Sequence, residues 1–297
     1  TNEERTAVCC LSSVNLEEYD EWKNDKNFIP DLIRMLDNVI TYFVENAPDT
    51  LSKAKFSAKM ERSLGLGAMG FHAYLQRKNV PFESPMAVGV NKQMFGHIKK
   101  EAVNATETLA MERGEAPDAV GQGVRNVHLL AVAPNASSSI ICGNTSPSIE
   151  PYRANAFTQK TKSGSSLLKN EYLEHILQEL EEDTDEVWKS IITNNGSVQH
   201  LEFLDDWTKD VFKTAVEIDQ RWIIEMAADR QKEICQSQSL NIFFPANVSK
   251  QELHAIHMMA WKKKVKTLYY LRSEAIKRAE TVSDEALRQY IFESMDE

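Results

Sequence analysis

The sequence predicts an α/β fold rich in helix, and three observations carry that prediction. Short apolar runs bounded by turn residues alternate with stretches of helical period along most of the 297 residues. Proline and glycine mark the boundaries, at Pro48, at Gly114 and in the loop holding Gly121 and Gly123. No internal repeat or low-complexity segment interrupts the alternation.

The run Ala7-Val8-Cys9-Cys10-Leu11-Ser12-Ser13-Val14-Asn15-Leu16 reads as a buried strand, apolar on both faces, with Cys9 and Cys10 as small core residues. Over 31–46 the residues Leu32, Ile33, Met35, Leu36, Val39, Ile40 and Phe43 fall on one broad helical face, and Pro48 ends it. In Leu64-Gly65-Leu66-Gly67-Ala68-Met69-Gly70-Phe71 the glycines let neighbouring backbones approach closely, and a helix continues from Phe71. Gly65-x-Gly67-x-x-Gly70 spells a dinucleotide-binding fingerprint, but the acidic residue expected about twenty positions later is absent. Close packing is the better reading.

A long amphipathic helix spans 85–113 and breaks at Gly114. The strand Val127-His128-Leu129-Leu130-Ala131-Val132 leads into the turn Pro134-Asn135-Ala136-Ser137-Ser138-Ser139 and a short helix start, Ile140-Ile141-Cys142. Residues 148–152 resemble another strand end, and 167–233 read as largely helical and acidic. Residues 240–244 form a strand, 250–264 a helix, 265–271 a strand, and 284–295 a polar helix or tail. Met258, Met259, Trp222 and Trp261 read as core.

A hydrophobic share of 42% with 26% charged residues describes a soluble globular protein, cytoplasmic by default, with no membrane-length apolar run and no signal peptide. The net charge of −10 argues against DNA binding, because no basic excess offsets phosphate repulsion. Cys9, Cys10, Cys142 and Cys235 lack the spread of a disulfide scaffold, and the scattered histidines offer no zinc spacing, so no metal is expected. The chain opens on Thr1 rather than Met and stops without a stop signal, so both ends are expected to be interior points of a longer protein.

Two segments can carry chemistry. The strand–turn–helix at 127–142 can bind an anion through backbone N–H groups and the hydroxyls of Ser137, Ser138 and Ser139, or can be an ordinary helix cap that binds nothing. No lysine or arginine stands in the turn. In Lys266-Thr267-Leu268-Tyr269-Tyr270-Leu271-Arg272, adjacent tyrosines on a strand point to opposite faces. They can carry an oxidising equivalent across the sheet, or simply place one ring in the core and one half-exposed.

Several segments together resemble the large, catalytic subunit of class I ribonucleotide reductase, in the style of phage and bacterial versions. They are Ala7-Val8-Cys9-Cys10-Leu11-Ser12, Arg62-Ser63-Leu64-Gly65-Leu66-Gly67, the 134–139 turn, Asp229-Arg230-Gln231 with Gln236-Ser237-Gln238-Ser239-Leu240-Asn241, and Thr267-Leu268-Tyr269-Tyr270-Leu271-Arg272. They occur in the family's order over nearly the whole chain. The resemblance implies the C-terminal half of a ten-stranded α/β barrel over about 1–165, followed by a helix-rich C-terminal region with closing strands over about 166–297.

By that resemblance Cys9 is one of two cysteines that reduce the substrate and become a disulfide. Pro134, Asn135, Ala136, Ser137, Ser138 and Ser139 grip the diphosphate of a ribonucleoside diphosphate. Tyr269 and Tyr270 transfer a radical, Tyr270 facing a small subunit with a di-iron tyrosyl radical and Tyr269 facing the active-site thiol. No cofactor would be bound directly. Nucleotide effectors, ATP or dATP, would bind elsewhere in the full subunit, and thioredoxin or glutaredoxin would restore the thiols. Ala136 departs from relatives that are acidic there.

The family's Asn-x-Cys-x-Glu-like motif, the partner of Cys9 and the C-terminal cysteine pair have no match here. The chain is therefore expected to be inactive alone and to require the N-terminal part of the large subunit, as a fragment or one half of a split subunit. The alternative is a non-catalytic module that only binds the small subunit.

Overall fold

The structure, a computed structural model, describes residues 1–161 and 164–273. The helix or tail expected at 284–295 lies outside the described residues. Strand β1 (Cys10–Asn15) runs parallel to β2 (Leu64–Met69), with Leu11 opposite Gly65 and Ser13 opposite Gly67. Parallel strands need a crossover, supplied here by α1 (Tyr19–Trp22), α2 (Phe28–Asn46) and α3 (Ser52–Glu61).

Ile29, Ile33, Leu36 and Ile40 are the buried stripe of α2. Met35 and Val39, read as part of that face, are 46% exposed, because the helix covers the sheet with a narrower stripe than the sequence suggests. Asp37 is also buried on α2. Arg62 Nε donates to it at 2.7 Å and Arg113 Nη1 at 3.0 Å. Burial alone would raise its carboxyl, but Arg62, helped by Arg125 and Asn126, holds it below the usual range.

After β2 come α4 (Phe71–Arg77) and α5 (Pro85–Arg113). Ser84 caps α5 by accepting from Ala87 N at 3.1 Å, and Gly114 follows its last turn with φ 85°. The chain then makes α6 (Ser138–Ile141) and an antiparallel hairpin, β3 (Ala156–Thr161) with β4 (Gly164–Lys169), before α7 (Glu171–Glu179), α8 (Asp185–Thr193), α9 (Asp206–Val211) and α10 (Gln220–Arg230). The sequence reading missed the hairpin. Residues of this stretch, including Leu173, Leu177, Trp188, Ile191 and Phe212, bury one another in a small core of their own. Strand β5 (Ile242–Phe244), α11 (Lys250–Lys262) and β6 (Leu271–Ser273) complete the described chain, with β5 and β6 parallel.

The strands expected at 127–132 and 265–271 are shorter than the sequence suggests. Residues 129–132 keep only bridging pairs, Leu66 with Leu130 and Val132 with Gln238, both parallel. No strand forms at 148–152. Hydrogen bonds nevertheless link these pieces into one arc. Leu66 N donates to Leu129 O at 2.8 Å, Ser239 N to Val132 O at 2.8 Å, Tyr269 N to Leu240 O at 2.8 Å, and Ile242 N to Tyr270 O at 3.0 Å. The order is β1, β2, residues 129–132, residues 236–244, and residues 269–273.

Val14, Leu64, Leu66, Ala68, Leu130 and Val132 pack with the helices in the main core. Cys9 and Leu11 share the other face, Cys9 exposed and Leu11 54% exposed. The first strand is therefore apolar and buried on one face only at this end. Trp261, read as core, is 72% exposed.

Glycine is required where β2 meets its next neighbour. A Cβ on Gly67 would lie 2.4 Å from the carbonyl oxygen of Ala131, a backbone atom. On Gly65 it would meet the Cδ2 of exposed Leu11 at the same 2.4 Å, but that side chain can turn away. Gly67→Ala is therefore expected to destabilise the protein by about 2–3 kcal/mol, and Gly65→Ala by clearly less, in urea unfolding. Equal losses would contradict this account of the contact.

Candidate active site

A cavity of about 460 Å³ lies beyond the ends of residues 129–132 and beside residues 269–272. Pro134, Asn135, Ala136 and Ser139 form one side, and Tyr269, Tyr270 and Arg272 the other. The structure thus brings together two segments 130 residues apart, as the two Tyr269 and Ser139 positions show. Ser137, Ser138 and Cys9 do not line it. Cys9 connects to it indirectly: Ser13, on the same face of β1, exchanges contacts with Asn135 at 3.2 and 3.3 Å.

The turn is held from within. Ser139 N donates to Asn135 O at 2.9 Å, and Thr145 N to Ser139 O at 3.1 Å. Ser137 occupies the helix-cap position without a side-chain capping bond, so the ordinary-cap reading loses its defining contact. Ser137 and Ser138 are exposed, whereas Asn135 and Ser139 are buried.

Tyr269 and Tyr270 do not point to opposite faces. Their ring centroids are 4.1 Å apart, inclined at 52°. Both are about half exposed, at 51% and 48%, so neither ring is in the core. The reason is local: Tyr270 N donates to the Asn241 side chain at 3.0 Å instead of a backbone partner, and regular strand begins only at Leu271. The alternation rule fails before regular strand begins. Hydrogen bonding to Tyr270 holds the Tyr269 phenol above its ordinary pKa. The Arg272 guanidinium lies 4.5 Å from the centre of the Tyr270 ring.

Sequence reasoning gave no site role to the three charged residues of the cavity, Glu150, Arg153 and Arg272. Glu150 is buried and accepts from Asn241 Nδ2 at 2.5 Å. Burial pushes its carboxyl up to about 7, against the opposing pull of Arg153, Arg272 and Asn241. The neighbouring Glu150-Pro151-Tyr152 backbone is anchored by Tyr152 N, which donates to His72 Nδ1 at 2.9 Å. Burial keeps that histidine neutral, with its pKa at about 3. A Glu-Pro-Tyr step followed by arginine was the available signal, but the segment was read as a strand end. The two arginines supply the cationic side chains that the 134–139 turn lacks.

The model of the ribonucleotide reductase barrel domain matches residues 1–121 and 117–271. The chain belongs to the ribonucleotide reductase barrel-domain family. A ribonucleoside-diphosphate reductase large subunit from Invertebrate iridescent virus 6 is 53% identical over 287 residues, covering 95% of this chain and 30% of the relative. A putative large subunit from Frog virus 3 is 52% identical over 276 residues, covering 92% of this chain and 48% of the relative. The solved alpha subunit of a class Id ribonucleotide reductase from Actinobacillus ureae superposes with a TM-score of 0.87 at 39% identity, over 96% of this chain and 52% of that one. The chain thus spans 30–48% of the length of these two viral relatives. An α/β reading of this barrel-family chain agrees with both the match and the structure. Among the described residues no helix is long and apolar enough to cross a membrane.

Glu150 gives a pH test with a defined sign. Its folded value of about 7 exceeds the ordinary 4.5. A raised acid stabilises the fold fully below 4.5 and loses that contribution as pH rises through 7. Glu150→Gln, which keeps an acceptor for Asn241, should therefore gain stability relative to the native chain between pH 5 and pH 8, by up to about 3 kcal/mol. Urea unfolding of both proteins across that range reads the difference; a difference that does not grow with pH removes the assignment.

Proposed function

We propose that this chain supplies the C-terminal portion of the catalytic barrel of a ribonucleoside-diphosphate reductase large subunit, acting in the cytoplasm to make deoxyribonucleotides. The observation that carries the reading is the shared cavity, with the 134–139 turn on one wall and the tyrosine pair on the other. In this reading the diphosphate rests on Asn135, Ser139 and neighbouring N–H groups, and Arg153 and Arg272 offset its charge. Ser137 and Ser138 stand at the rim. Ala136 contributes backbone and no carboxylate, and Pro134 sets the direction of the turn.

Cys9 is proposed as one of two thiols that deliver the reducing equivalents. Two thiols give up two electrons and two protons and become a disulfide, while the ribose 2′-carbon loses its hydroxyl as water. The partner thiol and the radical-bearing cysteine are proposed to come from the N-terminal part of the large subunit. Although Cys9 is exposed as a residue, partial desolvation of its sulfur comes first in raising the thiol pKa, then Cys10 and Cys235 nearby, and this favours the protonated donor at neutral pH.

Tyr269 and Tyr270 are proposed as the last two stations of a radical relay. Ring centroids only 4.1 Å apart allow electron exchange, and the adjacent phenols are proposed to pass the proton with it. A separate small subunit, expected to carry a di-iron tyrosyl radical, supplies the oxidising equivalent. Thioredoxin or glutaredoxin is proposed to regenerate the thiols, and ATP or dATP to act on regions outside this chain.

Combining the chain with the N-terminal part of the large subunit and the small subunit should restore reduction of ribonucleoside diphosphates. Tyr270→Phe, which keeps the ring and loses the transferable proton, should abolish turnover while substrate binding measured by calorimetry persists. Full turnover by that variant, or soluble assembled protein without any activity, would overturn the reading.

A further inference from the structure

Two consecutive amides face the same neighbour at the tyrosine pair. In a regular strand successive N–H groups point to opposite sides. Here Tyr269 N donates to Leu240 O at 2.8 Å and Tyr270 N to Asn241 Oδ1 at 3.0 Å, so both turn toward residues 240–241. Tyr270 O then rejoins the ladder, accepting from Ile242 N at 3.0 Å. The kink brings the two rings together, with centroids 4.1 Å apart. That geometry therefore turns on the orientation of the Asn241 side chain.

Glu150 fixes this orientation. Asn241 Nδ2 donates to Glu150 Oε1 at 2.5 Å, and both residues are buried. The carboxyl stands on the anchored end of the bond. Glu150 N donates to Pro147 O at 3.0 Å, the preceding Ile149 sits in the main core, and Tyr152 N donates to His72 Nδ1 at 2.9 Å. The tyrosines stand on the looser end, each ring about half exposed.

We propose that Glu150 is a positioning residue for the tyrosine pair: from its anchored loop the carboxyl aligns the Asn241 carboxamide, which holds Tyr270 N out of the ladder and keeps the two rings in contact. The role deepens the reading of the pair as a radical relay and rests on it for its biological meaning. It also makes the contact depend on pH, because a carboxylate accepts from an amide more strongly than a carboxylic acid does. The charged and titratable groups facing Glu150 are Arg153 on its own loop and Tyr269, Tyr270 and Arg272 across the cavity. Tyr152 sends its hydroxyl to Asn144 O at 3.1 Å, and residues 134–148 carry no charged side chain. Burial outweighs the two guanidiniums and places ionisation at about 7, so the tie tightens as pH rises through that value.

The test reads ring geometry in the chain itself, without nucleotide, small subunit or turnover, so it can fail while the reading of the site stands. Ring resonances of the tyrosine-labelled chain are assigned with Tyr269→Phe and Tyr270→Phe. Tyr269→Ala and Tyr270→Ala then define the shift that each ring induces in the other. Glu150→Leu should lose more than about half of that contact shift, whereas Glu150→Gln, whose amide oxygen still accepts from Asn241, should keep it. Asn241→Ala should lose as much as Glu150→Leu, and the double variant no more than either. In the native chain the contact shift should grow in one step near pH 7, a step absent from Glu150→Gln. An unchanged contact shift in folded Glu150→Leu, or additive losses in the double variant, overturns the proposal. Should those variants fail to fold, the titration decides: a native chain without the step, or the same step in Glu150→Gln, overturns it equally.

Discussion

A carbonyl oxygen 2.4 Å from the place where Gly67 would carry a side chain fixes how closely β2 and residues 129–132 approach. Everything that builds the cavity is referred to that contact. Residues 129–132 leave the sheet directly into the 134–139 turn, so the height of the turn is the height of this segment. On the far side, Val132 bonds to residues 237–239, which continue to Asn241 and β5. A wider spacing would shift the turn and Asn241 relative to β1 and remove the contact between Asn135 and Ser13.

Asn241 is the second organising group. One carboxamide donates to Glu150 at 2.5 Å and accepts from Tyr270 N at 3.0 Å. It ties the loop after the turn to the tyrosine segment and sets where the regular strand can begin. The same strand is braced from behind by Arg230, buried between Gln238 at 2.7 Å and Asn91 at 2.8 Å. Arg230 has neutral partners in both bonds, and burial lowers its pKa to about 9. Polar groups that are buried and bonded on several sides resist displacement, because leaving any one unmet is costly. The cavity wall is therefore stiff on the strand side, while the exposed faces of Tyr269, Tyr270 and Cys9 remain open to partners.

The proposed chemistry sits on this contrast. A near-neutral carboxyl, two guanidiniums and two touching phenols lie around one space. Cys9 stands outside it, immediately before β1, and the bond of Asn135 to Ser13 ties the cavity wall to that strand. In the proposed enzyme, substrate bound across that link would reach both the turn and the thiol.

Much of this was legible in the sequence, for physical reasons. Helical period, Ser84 and Gly114 bounded the long helix to the residue, because capping and amphipathicity are local properties. Gly65 and Gly67 announced close packing without revealing its partner. The residues of the turn and the tyrosine pair could be named from their chemistry and from the family resemblance. Which of them share a cavity could not, since Ser137 and Ser139 differ only in the direction the chain gives them. Glu150 and Arg153 look like ordinary charged residues until burial perturbs them, and Arg272 does so until the fold brings it to the cavity. Likewise the contact of the Tyr269 ring with Tyr270 follows from a single side-chain bond to Asn241, a residue 29 positions away from Tyr270. Local periodicity and residue chemistry determined the elements and the reacting groups; long-range hydrogen bonds decided where those groups point, because strand alternation holds only where the backbone ladder is regular.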